Sequence, residues 1–557
     1  MGTSGNRKGY KIFSISTTIR NPIRNTEFLK VFKKYDNCIL TSELKDEIYT
    51  ELVKQGIYQL TNVSNEIKNK YENGEDLTED EIKKAIIDNP QKTRNAGRLM
   101  TQIRAIKDVG FLTLTGSEKK PLMNITPLGN KIIEGYSSED IYTKAMIGLH
   151  ANNPQRVAIY NKSRPFLNTL FVIEELNKYY NNNKGIMWHE FATFVLSMKD
   201  CNYKDIANKI IEYRKENQNK INRVFIENYL YNDLKLVKID FKKSLLKDYP
   251  DDVYRKFAMT GLIDRCGFGK NLYIRFNEFN IEKVKSIIKK YEGYSFQSFL
   301  STEDYVKYLE NIVLPWEKSD VIKEEIIKNK EDKLGIKLDD NLSLDNKIEK
   351  LDEINNKQIF DMTVNRMDLN SIIAELVNLS RSKKSSLDTI PPSIRLEWLV
   401  SLLMAKMYGS KYVKPNLHLD NNGFPRSCAS GGKADIEFVT EKYYFLLEVT
   451  MIRDYKQQLN SETTSISDHL NHLSTDLKKA SILIAPYIHK RVVSFFEFII
   501  STDNANILAT TIERYLDITT KNPNIESYYE QVLKEIEYMY SNDAENYCDK
   551  INGFKLY

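Results

Sequence analysis

The amino-acid sequence predicts a multidomain fold: a mainly α N-terminal part built from small helix–helix–hairpin modules, and a C-terminal α/β domain with a mixed central sheet. Three observations lead there. Two short apolar runs, 434–439 and 443–451, flank the polar bend Thr440-Glu441-Lys442, and a third apolar run follows at 481–485. Upstream, the order helix, helix, paired short strands is read over 77–133 and echoed at 252–276. With 557 residues, 41% of them hydrophobic, the chain has apolar material for several cores.

Composition narrows the partners only a little. Lys and Arg number 81 against 76 Asp and Glu, a formal charge of +5. That is too small to mark nucleic-acid binding by itself, so any such surface must come from local clustering. Cys38, Cys201, Cys266, Cys428 and Cys548 lie far apart without a Cys-x-x-Cys pair, which suggests neither a zinc site nor a disulfide framework. No signal peptide opens the chain and no apolar run approaches transmembrane length. A protein of the reducing cytoplasm, without a membrane partner, is expected.

Taken in order, 11–16 is expected to be a strand and 26–34 a helix capped by Asn25 or Thr26. Between them Arg20 and Arg24 flank Pro22 on a stiff turn that would present guanidinium groups to phosphates. Thr78 and Glu81 are spaced as a capping box at the head of a helix over 79–87, which Asn89-Pro90 ends. A second helix spans 93–109. Its Leu99, Ile103 and Ile106 form a core-facing stripe and leave Arg94, Arg98 and Gln102 facing out together. The stretch GFLTLTGSEKKPLMNIT then reads as two short strands about a turn. This is the winged-helix order, in which the second helix enters the major groove. Arg and Gln carry the paired hydrogen-bonding groups that read guanine and adenine edges.

Residues 165–213 offer three amphipathic helices, and 252–276 repeats helix, strand, turn, strand, with Arg265 and Lys270 on a basic rim. His189 and Glu190 beside Trp188 lack a second ligand pair, so His189 reads as a satisfied core histidine. Residues 280–385 are rich in Lys, Glu and Asp at helical spacing, as in a charged connector with a solvated face. Pro391-Pro392 then opens a helix striped by Leu396, Leu399, Val400, Leu403 and Met407. Two acidic strands follow, then a helix over about 454–480, the strand 481–485 and a closing helix. A strand, a crossover helix and a further buried strand imply parallel pairing beside the antiparallel hairpin. The expected domains are 1–150 and 151–295 (two winged-helix-type recognition modules), 296–385 (helical linker) and 386–557 (the α/β domain).

The chemistry concentrates in the acidic strands. Ala434, Ile436 and Phe438 alternate with Asp435 and Glu437, as in a half-buried strand. The second run is almost continuously apolar, as in a strand covered on both faces, and Glu448 interrupts it. A carboxylate in such a strand is costly unless paired or metal-bound. Asp435 and Glu448 on adjacent strands would both stay ionised only beside a cation. Hard divalent ions, chiefly magnesium, suit such oxygen ligands.

This arrangement resembles the PD-(D/E)xK nuclease core, with two departures. Lys433-Ala434 precede Asp435 where that pattern has Pro, and the triplet is Glu448-Val449-Thr450, with Thr for Lys. The variant, introduced by GGKADIEF, looks like the AlwI family of type IIS restriction endonucleases and their nicking relatives. Gln457, Glu462 and His469 in QQLNSETTSISDHL resemble that family's Q…E…H segment. Glu397 in RLEWLV resembles its Glu-Trp-Leu, and SISTTIRNPIRN its N-terminal opening.

The resemblance implies a magnesium-dependent endonuclease of a prokaryotic restriction system. It would bind a short asymmetric double-stranded DNA site and cut outside it, on one side. Asp435, Glu448, the Val449 carbonyl and Glu462 would hold the metal, with Glu397 an outer-shell or second-metal carboxylate. Thr450 or Gln457 would orient water where the usual Lys is missing. One centre cuts one strand at a time, so a transient homodimer or a second nuclease subunit would complete double-strand cleavage. The alternatives are a strand-specific nicking enzyme, the large subunit of a heterodimeric restriction enzyme and, in another class, a catalytically inactive winged-helix DNA-binding regulator.

Overall fold

The computed structural model describes the chain apart from residues 1–9, 17, 20, 56, 59–62, 68–69, 71–76, 89–91, 137, 219, 268–271, 384, 386, 388–389, 429–433, 454–457, 460–465, 467–468, 471–472, 474 and 557, and apart from the side chains of 87–88, 92–98 and 427–428. Two compact units form: Met1–Lys45 with Gly97–Asn355, and Asp46–Ala96 with Asn356–Tyr557.

In the first unit, the strand pair read from the sequence is β2 (Leu112–Gly116) against β3 (Pro121–Ile125), antiparallel from Leu112↔Ile125 to Gly116↔Pro121. A two-residue strand, β1 (Cys38–Ile39), completes the sheet in the order β1-β3-β2. The preceding helix, Lys92–Asp108, buries Leu99, Ile103 and Ile106 as its spacing requires. Gln102 corrects the expectation of an outward face. It is buried, 2% exposed, and among the described residues its side-chain oxygen has no hydrogen-bond partner. At about 100° per residue, position 102 falls within the same arc as 99, 103 and 106, so the apolar stripe takes it in. Arg104, on the far side of that helix, is exposed.

The second hairpin is β5 (Ile263–Cys266) against β6 (Tyr273–Phe276), preceded by helix Tyr249–Ala258 and joined by β4 (Ile186–Met187) in the order β4-β6-β5. Residues 11–16 do not form the expected strand. Ile12, Phe13 and Ile15 are buried, but the stretch docks through isolated contacts, such as the Phe13 N–H donating to Leu196 O at 2.8 Å, without a ladder. The charged connector also differs from a merely solvated face. Ile327 and Leu351 pack with Phe279, and the Lys330 ammonium is buried over the Phe279 ring at 4.5 Å, paired with Asp352.

In the second unit a five-stranded sheet runs in the order β13-β12-β11-β10-β7. Its strands are β7 (Val413–Pro415), β10 (Ile436–Val439), β11 (Tyr443–Val449), β12 (Lys478–Ala485) and β13 (Ile507–Thr511). A separate hairpin pairs β8 (Leu417–Leu419) with β9 (Pro425–Cys428). Pairing is antiparallel across β7, β10 and β11 and parallel from β11 to β13, the mixed sheet the sequence implied. Helix Pro392–Tyr408 packs on β7, β10 and β11. The helix expected to reach residue 480 stops short of that: β12 begins at Lys478, where the chain must already be extended to pair in register with Tyr443.

Candidate active site

The acidic hairpin works as its alternation requires. Ile436 pairs with Leu447, so the next rung sets Asp435 opposite Glu448. The Val449 N–H donates to Asp435 Oδ2 at 2.9 Å, which fixes the carboxylate against the end of β11. Glu448 is buried in the sheet, and its Oε1 lies 2.8 Å from His469 Nδ1. Glu397, 5% exposed on helix Pro392–Tyr408, completes the neighbourhood.

The electrostatics follow from that crowding. Burial pushes the Asp435 carboxyl up to about 6, opposed by the hydrogen bond from Val449. Glu397 is held well above the usual carboxylate range, first by burial and then by the charges of Asp435 and Glu448. A cluster of hard oxygen donors whose charges repel one another is a site that a divalent cation relieves, so the donor set fits magnesium. Among the described residues, no three His, Cys, Asp or Glu side chains form a ready-made metal cage. Glu462 and Gln457 lie outside the described residues.

Thr450 sits at the end of β11. Its N–H donates to Ile484 O at 3.0 Å and its hydroxyl accepts from the Ile452 N–H at 3.1 Å. Two contacts are not legible in the sequence. Gln458 anchors this segment, its amide donating to Ile452 O at 2.6 Å and Tyr487 O at 2.7 Å. His469 stands in the sequence only within a segment of resemblance; its place at Glu448 depends on a contact across 21 residues, for which local periodicity carries no signal.

Among the DNA-binding candidates, Arg24 lies over the Phe28 ring at 5.3 Å with Nε 3.4 Å from Glu27. Arg265 lies over the rings of Trp188 and Tyr254 at 5.9 and 5.6 Å, with Asp251 at 3.9 Å. Their side chains stay partly exposed, at 32% and 38%. Arg20 and Lys270, and the side chains of Arg94 and Arg98, lie outside the described residues. His189 is buried beside Tyr213, its ring 5.7 Å away, but it is not the satisfied core histidine expected: among the described residues its buried Nε2 has no hydrogen-bond partner. Glu190 is paired with Arg214 at 2.6 Å. Among the described residues, no helix is long and apolar enough to cross a membrane.

Among solved structures, the chain is similar to the small subunit of the heterodimeric restriction endonuclease R.BspD6I at 19% identity, with a TM-score of 0.29, covering 33% of this chain and 98% of that one. It is also similar to the BpuJ1 endonuclease binding domain in complex with modified DNA, at 13% identity and TM-score 0.32, covering 55% and 96%. A third likeness is to restriction endonuclease FokI, at 10% identity and TM-score 0.22, covering 94% and 96%. Among curated proteins none matches. The AlwI restriction endonuclease family matches residues 107–518, well over half of the chain. The chain therefore belongs to the AlwI restriction endonuclease family and is a type IIS, site-specific deoxyribonuclease.

Proposed function

We propose that this restriction endonuclease is magnesium-dependent, binds a short asymmetric duplex site through winged-helix modules upstream of residue 296, and cuts outside that site with a PD-(D/E)xK-type centre in 386–557. The observation that carries the reading is Asp435 and Glu448 facing each other across two strands, with Glu397 buried beside them. Asp435 and Glu448 would hold the ion, joined by the Val449 carbonyl and Glu462. Bound there, magnesium would supply Lewis acidity at the scissile phosphate and a more acidic water.

The protein's own residues prepare the site. The Val449 N–H holds the Asp435 rotamer and His469 holds that of Glu448. Glu397 adds a third carboxylate whose ionisation follows the charge of the other two. Thr450 or Gln457 is the proposed water-orienting group, with no lysine in the motif.

The test is incubation of purified protein with supercoiled plasmid, in magnesium, in calcium and in chelator, followed by sequencing of the cut ends. Wild type should cut only with magnesium and at a constant offset from one asymmetric sequence. Asp435→Ala and Glu448→Ala should bind that sequence in calcium without cutting it. Linear against open-circular product distinguishes double-strand cleavage from nicking. Cleavage by Glu448→Ala near the wild-type rate would refute the assignment.

A further inference from the structure

In the first unit, the segment Arg156–Asn161 presents three large apolar side chains to solvent within four residues: Val157 at 77%, Ile159 at 69% and Tyr160 at 79% exposure. Single exposed apolar residues are ordinary, but a contiguous trio is a patch that a soluble surface otherwise avoids. The backbone beneath it is fixed. Ala158 N–H donates to Asn152 Oδ1 at 2.8 Å, and Asn161 N–H to Ala158 O at 2.8 Å. Asn153 and Arg156 exchange backbone hydrogen bonds at 2.8 and 3.0 Å, and the Asn161 amide donates to the Tyr10 hydroxyl at 3.0 Å. These bonds hold the loop with its apolar side chains outward.

Its setting indicates what covers them. The loop is tied to the end of helix Lys92–Asp108 by Lys107, whose ammonium donates to Gln155 O, and to strand β2, where the Leu114 N–H donates to Gln155 Oε1 at 2.9 Å. Arg104 and Arg156 each neighbour Lys107 there, with Asp108 the acidic partner at 3.7 and 3.9 Å from Lys107 and Arg156. Lys162, two residues past Tyr160, is exposed and adds a further cation to the loop's end. An apolar ridge bordered by cations, on the hairpin side of a helix, complements a polyanion that also has apolar faces: phosphates for the lysines and arginines, sugars, thymine methyls and base edges for the ridge.

We propose that Val157, Ile159 and Tyr160 form a rigid apolar wedge that contacts double-stranded DNA beside the helix Lys92–Asp108 and helps to select the site, with Arg104 and Lys162 engaging the flanking phosphates. This rests on the reading of the first unit as the recognition part. It adds a specificity element that is neither a winged-helix reading residue nor a nuclease residue.

Apolar contacts release no counterions, whereas phosphate contacts do. The full-length triple variant V157S/I159S/Y160S should therefore bind the site duplex about tenfold more weakly, with an unchanged salt slope and a smaller ratio of site to scrambled-duplex affinity. Lys162→Ala should lower the salt slope and leave that ratio alone. Affinities are measured in calcium by competition at two salt concentrations, on the site found from wild-type cut ends, with sedimentation run in parallel. Should the triple variant not fold, Val157→Glu alone, which sets a carboxylate against phosphate, is expected to show the same loss. If wild type prefers the site but the triple variant, or Val157→Glu in its place, binds like wild type, the wedge is refuted and the recognition reading stands. If the variant changes only self-association, the patch is a protein interface and the proposal is again overturned. If wild type shows no preference for the site over scrambled duplex, the recognition reading itself falls, and the wedge with it.

Discussion

Replacing Asp435 with Asn should stabilise the metal-free protein while abolishing its activity. Asparagine keeps the side-chain shape and an acceptor for the Val449 N–H, 2.9 Å from the native carboxylate, but removes the charge. Burial raises that carboxyl from 3.8 to about 6. Each tenfold gain in proton affinity is worth about 1.4 kcal/mol, so the ionised fold bears a cost of about 3 kcal/mol. The carboxylate is only partly buried by surface area, and screening by water trims the cost to roughly 1–2 kcal/mol.

The folded carboxyl binds its proton more tightly than the unfolded one, so the cost is absent below pH 3.8, grows through the interval, and is complete above about 6. In chelator at about pH 8, Asp435→Asn should unfold at higher urea than wild type, with ΔG larger by about 1–2 kcal/mol. Near pH 4 the two curves should converge. Magnesium should raise wild-type stability by linkage and leave the variant unchanged. A variant no more stable at pH 8, or one equally stabilised at both pH values, would refute the account of Asp435 as a charge held at a cost for a cation.

Arg98→Ala, if the helix Lys92–Asp108 reads bases, should cost about 1–3 kcal/mol and relax preference at one base pair. Arg24→Ala should weaken all sequences alike and reduce the salt slope by about one; competition binding against single-base variants separates the two. His150 is buried, with Nδ1 2.9 Å from Gly148 O, and burial followed by the charge of Arg164 lowers its pKa to about 4. The unfolded state binds that proton first, so stability present above pH 6.5 should be lost as pH falls towards 4, a span of about 3 kcal/mol. His150→Leu should shallow the acid limb of stability against pH by about one proton, and an unchanged limb would refute it. Gly185 has φ +75°, and a Cβ there would lie 2.0 Å from Ile274 O. Gly185→Ala should lose about 3 kcal/mol or more, read as a lowered unfolding midpoint.

The local half of the fold is legible because its signals are local. Thr78 and Glu81 form the reciprocal cap their spacing predicts, the Glu81 N–H donating to Thr78 Oγ1 at 3.2 Å and the Thr78 N–H to Glu81 Oε2 at 2.8 Å. The hairpin at 112–125 and the mixed pairing around β11 also follow from runs and bends visible in the chain. Gln102 departs from its expected outward face because the buried stripe is wider than its three apolar residues and includes a polar one. The stretch 11–16 departs from a strand because buried alternation needs a cover, not a strand partner.

The sequence by itself placed Asp435 and Glu448 on two runs either side of one bend, with Ile436 and Phe438 alternating into the core. The structure closes that bend to two residues, Glu441-Lys442, with the Thr440 N–H donating to Tyr443 O at 2.9 Å, and the resulting register sets the two carboxylates opposite each other. Only the tertiary structure decided what surrounds them: Glu397, brought from a helix 38 residues before Asp435, and His469, 21 residues after Glu448. It alone also decided that Lys330 would be buried and that 46–96 would group with the C-terminal part of the chain. Periodicity reports which face of an element is apolar. Which distant element covers that face is settled by packing across the whole chain, where no short window of sequence carries the contact.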